Sequence, residues 1–348
     1  MSTTIKEIAQ RSGMAVQTVS EILNGKGGRY RIKTQERVKQ AAKDLHYRPN
    51  AAAKAMRSGK FYCAALLLST EEGRSNLPQE LLGGICDELA EHDYHLTVAR
   101  LPDAHLENEE LVPKILRQWL SDGLLVNYSA KIPPHLIEMV HRSSGPAVWI
   151  NSRQKSDCVY PDNFAAAKTV TKYLLSLGHK KIAYVDYAGG NSAQTIHFSR
   201  PDRHAGYEQA MRDAALTPRF MGPDYPVHRR DRVNVSSQWL SEKDPPTAIL
   251  AHTRTVAWPI IEAARNLNLR VPGDLSIASF ADSERIDDTG TMLTTINIPN
   301  YEIGRVAVKT MLEKIEYPDR IIPPQAMEMS LMIGETTAPP DVKKMFDL

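Results

Sequence analysis

Cysteine is scarce: Cys63, Cys86 and Cys158 are the chain's whole complement, scattered and odd in number. They give neither paired metal-ligand spacing nor an even disulfide framework, and read as small buried side chains in a reducing compartment. Long apolar runs are also missing. No stretch reaches the roughly 18 uncharged apolar residues that a membrane-spanning helix needs. The first residues lack the basic–apolar–small order of a secretory signal, so a cytoplasmic chain is expected. Catalytic signatures are absent as well: no G-x-G-x-x-G, P-loop, G-x-S-x-G or H-E-x-x-H occurs. Gly189-Gly190 is a lone pair after a strand, and His92 and His95 have no Cys or further His beside them. The sequence therefore predicts no enzyme, no cofactor and no metal site.

What is present suggests two or three domains. The chain has 348 residues, 42% apolar and 24% charged, in the range of globular proteins. The net charge of +2 hides an asymmetry. Residues 1–60 hold 13 Lys or Arg against four acids (Glu7, Glu21, Glu36, Asp44), a net +9, and the remainder is net −7. A basic head on a mildly acidic body is the footprint of a polyanion-binding module.

Within the head, Thr4-Ile5-Lys6-Glu7 has the form of a capping box. Ile5, Ile8 and Ala9 then give a short helix one apolar face, which Gly13 ends. A second helix over Ala15–Leu23 hides Val19, Ile22 and Leu23, and leaves Val16, Gln17, Thr18, Ser20 and Glu21 to face out or flank the groove. A third, Thr34–Leu45, buries Val38, Ala41, Ala42 and Leu45. This is the pattern of a helix-turn-helix, whose second helix enters the major groove by its N-terminal end. Gln17 suits a bidentate pair with adenine, and Val16 a thymine methyl. Ser20 and Asn24 suit phosphates, as do Arg29, Tyr30 and Arg31 in the loop "GKGGRYRIK". The segment "YRPNAAAKAMRSGK" favours a helix through its alanines but is too short to be stable alone.

From Phe61 onward, short apolar strands alternate with helical stretches. Strands are expected at 64–68, 96–99, 124–127, 148–151, 182–185, 248–251 and 276–280. Helices are expected at 78–91, 107–120, 163–177, 202–214, 256–267 and 301–315. Such alternation predicts an α/β core of doubly wound parallel sheets, with ligands at the carboxyl ends of the strands.

These residues resemble a known family. "TIKEIAQRSGMAVQTVSEILNGKG" and "TQERVKQAAKDLHYRPNAAAKAMRSGK" look like the headpiece of LacI/GalR transcriptional regulators, the loop looking most like the fructose-repressor branch. Further stations, "DGLLVNY", "YLLSLGHKKIAYV", "SRPDRHAGYEQAM", "VPGDLSIASFADSE" and "LTTINIPNYEIGRVAV", resemble the family's periplasmic-binding-protein-like core. The resemblance implies a helix-turn-helix headpiece (1–48), a hinge helix (49–60) and a core (61–340) crossed three times, near Tyr160, Met292 and Ile322. That gives an N-subdomain of about 61–160 plus 293–322 and a C-subdomain of about 161–292 plus 323–340. It also implies that Ala53 and Met56 meet the minor groove, Met56 as an apolar wedge, and that Thr4 lies at the DNA.

Several residues depart from the family pattern. Ala15 stands where a capping serine is usual, and Glu21 where an arginine is frequent; a carboxylate there either accepts from cytosine or repels phosphate. Arg203 matches the ligand-holding arginine of an R-x-x-G motif. Thr253 and Arg254 replace an Asn-Asp pair, and Ala281 replaces a sugar-gripping aspartate, with Asp282 after it. Two arginines suit a carboxylate or phosphate; alternatively Arg254 pairs with Asp282 and the cleft holds nothing. Asn127, Asn151 and Tyr160 join the candidate cleft by position. The expected function is a sequence-specific DNA-binding regulator, a repressor acting as a homodimer on a near-palindromic double-stranded operator under control of a sugar-like or anionic effector. The alternatives are such a regulator whose cleft has lost its ligand, or a small-molecule-binding protein of weakened DNA specificity.

Overall fold

A computed structural model of the chain describes residues 3–48, 59–71, 73–102, 121–142, 145–189, 197–223, 225–281 and 290–340. The helix expected over 107–120 and the candidate site residues Ala53, Met56 and Asp282 lie outside the described residues. The chain divides into two compact units, residues 1–61 and 62–348.

In the first unit, α1 (Ile5–Ser12) starts at the expected capping box. The Thr4 amide donates to Glu7 Oε2 at 2.7 Å, and the Glu7 amide donates to Thr4 Oγ1 at 3.4 Å. Gly13 ends it at φ +63°, a left-handed turn that favours glycine. Helix α2 (Val16–Leu23) starts at Ala15 with no side-chain cap, as the missing serine predicts. Helix α3 (Ile32–Asp44) begins two residues before the expected Thr34, because its first residue, Ile32, points to solvent and is invisible to an apolar-face reading. The three helices share one small core, in which Ile8, Val19 and Val38 are fully buried among Ala9, Ile22, Ala41 and Ala42. Leu23 and Leu45 are only partly covered.

The second unit carries two six-stranded sheets. The first contains β1 (Cys63–Ser69), β2 (His95–Leu101), β3 (Gly123–Asn127), β4 (Ala147–Ile150), β5 (Cys158–Pro161) and β11 (Gln325–Met327), in the order β11-β5-β4-β3-β1-β2. All its pairings are parallel. The second contains β6 (Ile182–Val185), β7 (Arg219–Met221), β8 (Ala248–Ala251), β9 (Ser276–Ala281), β10 (Thr294–Asn297) and β12 (Ser330–Met332), in the order β12-β10-β9-β8-β6-β7. Among the described strands, only β12 runs antiparallel here. Helices α4 (Gln79–Glu91), α5 (Pro134–Arg142), α6 (Asn163–Ser176), α7 (Ser199–Asp213), α8 (Arg232–Leu240), α9 (Arg254–Asn266) and α10 (Asn300–Glu316) cover the sheets. Each sheet has an apolar cluster on both faces, as doubly wound sheets require.

Two expectations need correction. Strand β10 pairs with β9 and β12, and β11 pairs with β5, so the later crossings fall at about residues 298 and 328 rather than near Met292 and Ile322. The polar "TTIN" of β10 hid a buried strand: the Thr294 amide donates to Thr336 Oγ1 at 2.9 Å, and Thr295 Oγ1 donates to Asn297 Oδ1 at 3.0 Å. The cysteines also differ from expectation. Cys158 is buried, but Cys63 is partly and Cys86 largely open to solvent. Among the described residues, no helix is long and apolar enough to cross a membrane.

Candidate nucleic-acid interface and cleft

The outer face of α2 is set by its packing. Because Val19 and Ile22 turn inward, Val16 (47% exposed) and Gln17 face solvent at the helix's leading end. Thr18, Ser20 and Glu21 are half-buried at its flanks. Asn24 donates from Nδ2 to the Ser20 carbonyl at 2.6 Å, closing the helix end. Thr4 is exposed, its hydroxyl engaged in the capping box.

Glu21 is not a bare carboxylate on this face. It accepts from the Arg29 guanidinium, from the Tyr30 hydroxyl at 2.6 Å and from Gln17 Nε2 at 3.2 Å. The Tyr30 hydrogen bond, with those from Gln17 and Arg29, holds its pKa below the usual carboxylate range. The basic loop thus folds back onto α2. Arg29 also lies over the Tyr30 ring, its carbon 5.2 Å from the centroid. Arg31 stays exposed, beside Ile32 at 73% exposure. Sequence reasoning weighed Glu21 alone; the acid–base spacing between Glu21 and Arg29 was the available signal.

In the second unit, a cavity of about 300 Å³ opens at the carboxyl ends of strands from both sheets. Of the residues expected there, Asn151, Arg203, Thr253 and Arg254 line it, together with Ala281. Asn127 and Tyr160 are not in its wall. The Asn127 amide donates to the Asn76 carbonyl at 2.7 Å, supporting a residue that is in the wall, while the Tyr160 ring packs edge-on against Phe198. Asn76, His197, His252 and Phe280 are wall residues that the sequence did not single out.

Arg203, on α7, is the cavity's fixed cation. Only 4% exposed, it donates from Nε to Asn163 Oδ1 at 2.8 Å and from Nη1 to the His252 carbonyl at 2.7 Å, and it lies 4.0 Å from the Phe280 ring centroid. Burial, reinforced by Arg203, pushes the His197 pKa down to about 4 and that of His252 well below the ordinary value. Both imidazoles are therefore neutral at pH 7. His252 Nδ1 lies 2.8 Å from the Tyr184 hydroxyl, and His197 Nε2 lies 3.2 Å from the Asn151 carbonyl. Asn151 takes φ +51°, and its buried Oδ1 has no hydrogen-bond partner among the described residues. Neighbouring carboxylates are already paired, Asp186 with Arg200 at 2.9 Å and Asp202 with Arg153 at 2.8 Å. Among the described wall residues are two arginines and no acid.

A basic helix-turn-helix unit on a chain whose remainder is a two-lobed core with a polar cleft defines a class of DNA-binding transcriptional regulators. Residues 4–50 match the bacterial regulatory proteins of the lacI family, and residues 171–337 match the periplasmic binding protein-like domain. The chain belongs to the LacI family of bacterial regulatory proteins. It is similar to the HTH-type transcriptional repressor PurR of Erwinia tasmaniensis, 29% identical with 90% of each chain covered. It is also similar to the probable HTH-type transcriptional regulator EndR of Paenibacillus polymyxa, 25% identical over 92% of this chain and 93% of the relative. The fold matches that of the lac repressor dimer bound to operator and the anti-inducer ONPF, with a TM-score of 0.77, 22% identity and coverage of 97% and 100%.

Proposed function

We propose that the chain is a cytoplasmic, homodimeric repressor that reads a near-palindromic operator and answers to a small anion in its cleft. Residues 1–48 serve as the reading headpiece, 49–60 as a hinge and 61–340 as the effector and dimerisation core. The observation that carries this is α2, which sits in a head of net +9 with Gln17 and Val16 outward and an intact apolar core behind them. A two-fold dimer reads a two-fold site. Support for the partners comes from the similar lac repressor dimer on its operator and from the cellobiose complex of the regulator CelR. The role is binding rather than catalysis.

Arg203 and Arg254, with the orphaned Asn151 Oδ1, favour an effector bearing a carboxylate or phosphate and a hydrogen-bond donor. A second reading, a cleft without a physiological ligand, draws on the internal bonds that Arg203 already makes. Selection of sites from random duplex DNA with the full-length protein tests the regulator reading: a palindrome should emerge, and sequence-indifferent binding alone would sink it. A thermal-shift screen of phosphorylated and carboxylated metabolites separates the two cleft readings. Stabilisation by at least one anion that R254A abolishes supports the first, and none supports the second.

A further inference from the structure

We propose that Glu21 is a positioning residue for base recognition: it fixes the Gln17 side-chain amide in the orientation that reads adenine, while the Arg29–Tyr30 loop cancels its charge toward DNA. The inference rests on the assignment of α2 as the groove-reading helix.

Glutamine by itself is an ambiguous reader of bases. A free amide flips between presenting its oxygen and its nitrogen, so it pairs with adenine in one pose and donates to guanine in the other. In this chain one face of the amide is committed. Gln17 and Glu21 are one helical turn apart, and Gln17 Nε2 donates to Glu21 Oε1 at 3.2 Å. A carboxylate only accepts, so the amide nitrogen must face it; the flipped pose would set oxygen against oxygen. One N–H hydrogen goes to Glu21, leaving the other to act with the amide's own oxygen, Gln17 Oε1. That pair is the donor–acceptor fork that adenine N7 and N6 require, and guanine, with two acceptors, does not match it.

An unbalanced carboxylate on a DNA-facing helix would weaken binding to every sequence. Arg29 and Tyr30 remove that penalty. Both engage Oε2, leaving Oε1 to Gln17, so the two oxygens have separate tasks. Glu21 is held on three sides, and this restricts its rotamers as well as its charge. The loop that brings Arg29 and Tyr30 to α2 is thereby tied to the choice of base.

The test uses full-length protein and a set of duplexes in which the base pair opposite Gln17, located by loss of preference in Q17A, is varied. Wild type should prefer adenine there over guanine by roughly 5- to 150-fold, the range of a good bidentate pair. In E21Q that preference should fall to less than about threefold, while binding to random duplex strengthens and the log–log salt slope steepens by about 0.9, the increment for one charge. E21D keeps the charge but shortens the arm; it should lose the adenine preference and leave the salt slope unchanged. R29A should weaken binding to all duplexes alike and keep the preference. Helical content and melting of the head, followed by circular dichroism, identify any variant that has unfolded, and the remaining variants then decide. Retention of the full adenine preference in E21Q and E21D would overturn the proposal, as would a Q17A protein whose base preferences equal those of wild type. A wild type with no preferred duplex would instead remove the regulator assignment itself.

Discussion

Arg203 holds a charge at 4% exposure, which the hydrogen bonds to Asn163 and the His252 carbonyl and the Phe280 ring help to offset. A lysine cannot make both hydrogen bonds while lying flat on a ring, since its ammonium is a point charge without a planar fork. R203K should therefore lower core stability by about 2 kcal/mol, the cost of leaving buried acceptors unsatisfied, and weaken any anion that stabilises wild type. Chemical denaturation checks the first and thermal shift the second. His197 makes a different prediction. Its folded pKa of about 4 lies below the unfolded value, so the unfolded chain takes up a proton first as pH falls. Its contribution is complete above about pH 6.5 and is lost between there and about pH 4, by up to about 3 kcal/mol. H197Q, compared with wild type across that window, should show the shallower decline; parallel curves would show that His197 is not buried in neutral form.

The same logic of close approach governs the elements. Helices α4 and α10 meet through glycines: a Cβ on Gly84 would sit 2.0 Å from the Tyr301 carbonyl oxygen, and one on Gly304 would sit 2.5 Å from that of Leu81. Backbone atoms cannot yield as a side-chain tip can, so G84A should cost about 3 kcal/mol and lower the core's melting temperature, whereas removing the head's cap with T4A should cost only about 1 kcal/mol. Beside this seam, the buried Glu88 is held by Arg305 at 2.6 Å, with Lys309 at 3.6 Å. How much of this the sequence disclosed depended on burial and polarity. Strands such as 182–185 and 248–251 were legible to the residue, because an all-apolar run between turn signals has few other readings. Strands β10, β11 and β12 were not legible, because β10 is a polar run buried through long-range hydrogen bonds, and β11 and β12 are three-residue, partly exposed strands set by pairing that no local pattern records. At the cleft, Arg203 and the pair Thr253–Arg254 were found from motif positions. His197 and His252 were missed because a lone histidine reveals its environment only after folding.

For the whole molecule, the consequence is two cores of unequal size under opposite charge. Among the described residues, the head rests on seven buried apolar side chains, Val19 among them, whereas the second unit has four apolar clusters. So small a core is marginal, and net +9 within residues 1–60 adds self-repulsion that a polyanion relieves. Scanning calorimetry of the full chain should accordingly show two transitions, the head melting first and shifting upward as salt screens its charge. The selected operator duplex should raise the first transition by an amount equivalent to about 2.7 kcal/mol at 100 times its Kd. A cleft anion should raise the second. If effector and operator act on one equilibrium, the factor by which the anion changes operator affinity must equal the factor by which operator changes anion affinity. Measuring both factors by titration provides a check with no adjustable parameter. Equal factors different from one make the cleft a regulatory site; factors of one would leave a DNA-binding protein whose cleft ligand, however tightly bound, has no influence on the operator.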